Sequence, residues 1–109
     1  MKYVTRTEFE QRFPRKESDA QIDTIFPGSL TLDQDATING IVRGDVTVKS
    51  GVQAIITGVV NGSVHAEDGS LIFLYGIVGG DVWLAGNALV TGLVKGKTTG
   101  TEDACVYVP

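Results

Sequence analysis

Only 3 prolines, 1 cysteine and 1 histidine occur among these 109 residues. A lone Cys105 closes no internal disulfide, so a disulfide scaffold is excluded and reducing surroundings suit the chain. With His65 as the sole imidazole, Glu67 and Asp68 beside it have no second nitrogen or sulfur ligand to share a metal with. His65 is accordingly expected on the surface, and no metal or other cofactor is expected. No stretch reaches the apolar length of a spanning helix, and the opening "MKYVTRTEFEQRFPRK" has no apolar core of the kind a signal peptide needs. A cytoplasmic address is the expectation. Basic residues are also scarce: 9 Lys and Arg against 13 Asp and Glu leave a formal charge of −4, without the clustered basic face that nucleic acid or an anionic membrane would require. A chain of this length carries one core.

Glycine, by contrast, is plentiful at 14 residues, and it recurs in register. "GIVRGDVTV" at Gly40 returns as "GVVNGSVHA" at Gly58, "GIVGGDVWL" at Gly76 and "GLVKGKTTG" at Gly92. One glycine column is Gly40, Gly58, Gly76, Gly92; a second, four residues on, is Gly44, Gly62, Gly80, Gly96. Counted from Gly28, the second column is spaced by 16, 18, 18 and 16 residues, as in a solenoid with one adjustable corner.

Within each cycle Val42, Val46 and Val48 alternate with Arg43, Asp45 and Thr47, the signature of a strand with one buried face. Every sixth residue from Val42 to Val90 is apolar: Val48, Ala54, Val60, Ala66, Ile72, Val78 and Leu84 lie between. Three inward stripes about six residues apart predict a triangular coil, with glycine at corners where backbone passes close to backbone or φ turns positive. The predicted fold is all-β, a single-domain right-handed parallel β-helix of about four to five rungs with a short N-terminal helix. The predicted divisions are an N-terminal cap over residues 1–27, a coil over 28–99 and a C-terminal strand or cap over 100–109. A left-handed hexapeptide coil ranks second, because the 16-residue cycles and the runs "AIIT" and "LIFLY" fit it poorly and parallel crossovers are usually right-handed. The helix is placed at Thr5 to Arg12, with Thr5 and Glu8 as a capping box and Phe9 and Phe13 one turn apart.

Local motifs dissolve into this repeat. Arg43-Gly44-Asp45 is one phase of it, since Asp45 aligns with Ser63 and Asp81. "GLVKGKTT" has three residues before its Gly-Lys where a phosphate-binding loop needs four, so no nucleotide is expected. "NGS" at 61 to 63 falls on a repeat glycine, and Glu102 and Asp103 fall in a terminal loop. No catalytic constellation emerges, and the chain is expected not to be an enzyme.

Large apolar residues nonetheless fall on outward phases. Ile55, Phe73 and Leu89 form one stripe and Ile41, Val59, Ile77 and Leu93 another; stripes of this kind mark contacts. Ile55, Phe73, Tyr75, Trp83 and Leu89 are the candidate protein-contact surface. In an alternative arrangement the N-terminal segment, with Tyr3, Phe9 and Phe13, lies across one stripe.

The "G-I-V-R-G-D-V" units over about residues 28–99 resemble the core of the bactofilins, bacterial polymer-forming cytoskeletal proteins. The resemblance implies a right-handed β-helix, nucleotide-free filaments built through coil ends, and association with a membrane surface in some members. The chain differs in having fewer rungs and a helical start, and a covered first rung would remove the strand edge from which a filament extends. The expectation is a scaffold that self-associates through coil ends or outward apolar faces. The alternative is a small monomeric binding module, an immunity or adaptor protein, holding one protein partner on its outer face.

Overall fold

The computed structural model describes residues 1–18 and 20–109, which form seventeen strands and one helix, all the strands in parallel sheets stacked as a solenoid of about five turns. Each turn gives one short strand to each of three faces. The first face is built from β3 (Ile25–Phe26), β6 (Ile41–Val42), β9 (Val59–Val60), β12 (Ile77–Val78) and β15 (Leu93–Val94). The second holds β4 (Leu30–Leu32), β7 (Val46–Val48), β10 (Val64–Ala66), β13 (Val82–Leu84) and β16 (Thr98–Gly100). The third holds β5 (Ala36–Ile38), β8 (Gln53–Ile56), β11 (Leu71–Leu74), β14 (Asn87–Val90) and β17 (Cys105–Tyr107). Its two outermost strands are β2 (Gln21–Ile22) on β5 and β1 (Lys2–Tyr3) on β17. Coil strands therefore lie on both sides of residues 28–99.

The six-residue pattern becomes the bore. Val42, Val48, Ala54, Val60, Ala66, Ile72, Val78, Leu84 and Val90 are all buried, and strands one turn apart stack Val42 on Val60 and Ile77 on Leu93 in register. Each fully buried valine stabilises the coil by roughly 1.5–3 kcal/mol, which is why so narrow a cross-section holds.

The two glycine columns owe their composition to contact and not to dihedral angle. Among the described residues only Gly51 and Gly69 have positive φ, 76° and 77°, and they sit in the polar corners "KSG" and "EDG". In the first column a Cβ on Gly58 would collide with the Gly40 carbonyl oxygen, and one on Gly76 with the Gly58 carbonyl oxygen. Glycine stacks on glycine because no side chain fits between successive turns.

The N-terminal segment runs the length of the third face. Lys2–Tyr3 pairs parallel with Cys105 and Val106 on the last turn. Helix α1 (Arg6–Arg12) follows, its N-cap Thr5 Oγ1 accepting from the Glu8 N–H at 3.1 Å. Phe9 is fully buried on Ile55, Phe73, Leu89 and Cys105, with its ring edge-on to Phe73 at 6.0 Å and tilted by 42° against Phe13 at 4.9 Å. Past the helix, the Gln53 amide grips the Lys16 backbone, accepting its N–H at 2.9 Å and donating to its carbonyl at 2.8 Å. The chain then reaches β2 and enters the first turn.

Candidate functional site

The residues that looked like motifs turn out to hold one turn on the next. Ser29 Oγ accepts the Asp45 N–H at 3.0 Å, Asp45 Oδ1 the Ser63 N–H at 2.8 Å, Ser63 Oγ the Asp81 N–H at 3.0 Å, and Asp81 Oδ1 the Lys97 N–H at 2.8 Å. Each side chain lies where the next glycine's Cβ would be: a Cβ on Gly62 would strike Asp45 Oδ1, and one on Gly96 would strike Asp81 Oδ1. Serine, aspartate and the second glycine column are thus one device, a ladder that ties a backbone donor in each turn to a side-chain acceptor in the turn before. Asp45 of the Arg-Gly-Asp triplet spends an oxygen on this ladder. The Lys97 N–H that a phosphate loop would offer is already bonded to Asp81.

His65 lies on the second face, stacked on Trp83 with ring centroids 4.4 Å apart and planes 12° from parallel. Glu67 pairs with Lys49 at 3.4 Å instead. Among the described residues no group of three His, Cys, Asp or Glu side chains is placed to hold a metal. Cys105 is buried under α1, where its sulfur accepts from Arg12 Nη1 at 3.8 Å. Glu102 and Asp103 are exposed in the turn before β17. Ser70 Oγ is a buried polar atom with no hydrogen-bond partner among the described residues, and it fills the space above Gly86.

A groove of about 560 Å³ between α1 and the coil is lined by Arg6, Glu10, Pro14, Arg15, Phe73 and Tyr75. Its charges are occupied: Arg6 pairs with Glu10 at 3.0 Å, and Arg15 donates to the Tyr75 hydroxyl at 3.3 Å with its guanidinium over the Tyr75 ring. No nucleophile and base meet there.

The predicted contact surface divides. Ile55, Phe73 and Leu89 are 5%, 1% and 0% exposed, so their assignment to a contact surface is corrected: they form an intramolecular core with Phe9. The arrangement in which the N-terminal segment covers one stripe is the one found. Tyr75 is half-buried beside Arg15, while Trp83 keeps 38% of its surface exposed on the second face. The other stripe, on the first face, has no cover among the described residues. Ile25, Ile41, Ile77 and Leu93 are 54%, 37%, 37% and 55% exposed, and Val59 lies between Ile41 and Ile77. Ile25 extends the predicted stripe by one residue and was legible, since 16 steps back from Ile41 reach it.

No family model, curated protein or solved structure matches this chain. Among the described residues no helix is long and apolar enough to cross a membrane.

Proposed function

We propose that this chain is a non-enzymatic structural scaffold that associates with copies of itself, in the manner of the bactofilins its repeat resembles, and does so in the cytoplasm without nucleotide or cofactor. The observation that carries the reading is the aliphatic column of the first face, five residues in register with four of them more than a third exposed. Exposed aliphatic groups aligned on a rigid sheet present a self-complementary surface, and burying them against a second column returns the transfer free energy they forgo in water. Light scattering coupled to sizing over a range of concentrations tests this. Association that rises with concentration and is lost in Ile77→Lys is expected; a strict monomer at high concentration sinks it.

A second reading is supported by the exposed Trp83 on its His65 stack: a monomeric module that holds one protein partner on the second face, aromatic groups being common anchors. That reading predicts a partner retained by the wild-type chain and lost by Trp83→Ala at unchanged thermal stability.

A further inference from the structure

Five turns need five strands on each face, and among the described residues two faces have five while the third has seven. The surplus pair are the outermost strands of that face, β1 beyond β17 at one end and β2 beyond β5 at the other. Both come from the N-terminal segment. At one end the Lys2 N–H donates to the Ala104 carbonyl at 2.7 Å and the Val4 N–H to the Val106 carbonyl at 3.0 Å; at the other the Ala20 carbonyl accepts from the Thr37 N–H at 2.9 Å, the Ile22 carbonyl from the Asn39 and Gly40 N–H groups at 2.9 and 2.8 Å, and the Gln21 side-chain oxygen from Asn39 Nδ2.

Without that pair the two ends of the coil correspond. β17 and β5 are three residues each, β15 and β3 two each, and β16 and β4 three each. Side-chain bulk corresponds as well. One inward column runs Leu32, Val48, Ala66, Leu84, Gly100, so a leucine heads it and a glycine ends it. The space over Gly100 is taken by the Met1 side chain, 3.1 Å from where a Cβ would stand. At the opposite end Ala20, Ile22, Leu30, Leu32 and Ala36 line an open recess of about 240 Å³. With the N-terminal segment docked, seating the two five-stranded faces of one copy on those of another would drive β1 and β2 into occupied levels. The mismatch is two strand spacings, about 10 Å.

We propose that the N-terminal segment is an autoinhibitory strap: with β1 and β2 docked neither coil end accepts another copy, and with them undocked the ends join a second copy of this chain strand for strand. Main-chain pairing supplies the contact, as when any free sheet edge takes up a further strand. Helix α1 stays in place throughout, because Phe9 and the Gln53 grip on Lys16 hold the middle of the strap independently of its two-residue ends. The proposal rests on the self-association reading, but it concerns the ends and not the aliphatic column.

The test opens one end at a time in the full chain. Lys2→Pro with Tyr3→Pro frees β17, both residues being exposed; Gln21→Pro with Ile22→Pro frees β5. Both variants carry Ile77→Lys to silence the first face, so lateral association and end joining are read separately. In sedimentation velocity each variant alone is expected at monomer mass, because each keeps one surplus strand. A 1:1 mixture is expected to yield a species of twice that mass, since the freed end of one fits the freed end of the other. A mixture that sediments as two monomers, while amide exchange is fast at Val4 in the first variant and at Thr37 and Asn39 in the second, overturns the proposal. So does growth of either variant alone. Should prolines at 21 and 22 abolish the thermal unfolding transition, Gln21→Gly with Ile22→Gly replaces them and the same outcomes decide. Loss of wild-type association in Ile77→Lys alone bears only on the lateral reading.

Discussion

Two apolar columns run down the outside of this coil on the same repeat and end in opposite surroundings. On the third face Ile55, Phe73 and Leu89 lie beneath α1, at most 5% exposed; on the first, Ile25, Ile41, Ile77 and Leu93 keep 37% or more of their surface in water. Composition does not separate them, since both are large and apolar at the outward phase. The difference is the N-terminal segment, whose buried Phe9, with Val4 and Phe13 packed beside it, the chain lays over one column and not the other. An outward phase in a solenoid therefore specifies a direction and leaves burial open.

The largest way to break the comparison is Phe9→Ala. Emptying a fully buried phenylalanine site should cost about 3–5 kcal/mol in chemical denaturation and raise dye binding as the third-face column is uncovered. Next comes Gly58→Ala, at the flank of the open column, where the added methyl meets the Gly40 carbonyl with no flexible neighbour to give way. A loss of about 1–3 kcal/mol in thermal unfolding is expected. A smaller effect belongs to Gln53→Ala, which removes both bonds to the Lys16 backbone: about 1–2 kcal/mol, with faster amide exchange at Lys16 as the local readout. Smallest is Ile77→Ala on the open column, under about 1 kcal/mol because the side chain already meets water. A cost for Ile77→Ala equal to that for Phe9→Ala would erase the distinction between the columns.

Much of the coil was legible because it is periodic. The two glycine columns, the six-residue apolar stripes and the assignment of His65, Thr47 and Trp83 to one outward column follow from counting, and strand pairing places them so. The capped helix was legible from Thr5 and Glu8. The Ser29, Asp45, Ser63, Asp81 ladder was half-legible: its alignment could be counted, but the bond from each side chain to the next turn's N–H needs the turns to be stacked. Positive φ was less predictable, falling at Gly51 and Gly69 and not in the aligned columns. Least legible was the destination of Lys2 and Tyr3. Nothing in "MKYV" points to a partner strand about a hundred residues later, and a two-residue strand has no period.

By itself the sequence determined the circumference of each turn, the small residues where turns touch and the aliphatic filling of the bore, because stacking repeats every requirement at 16- or 18-residue intervals. Tertiary structure alone decided which outward column became core, and that both ends of the third face carry an extra strand. Those outcomes depend on where a non-repeating segment finds its lowest free energy over the finished coil, a competition among surfaces that exist only once the turns are stacked.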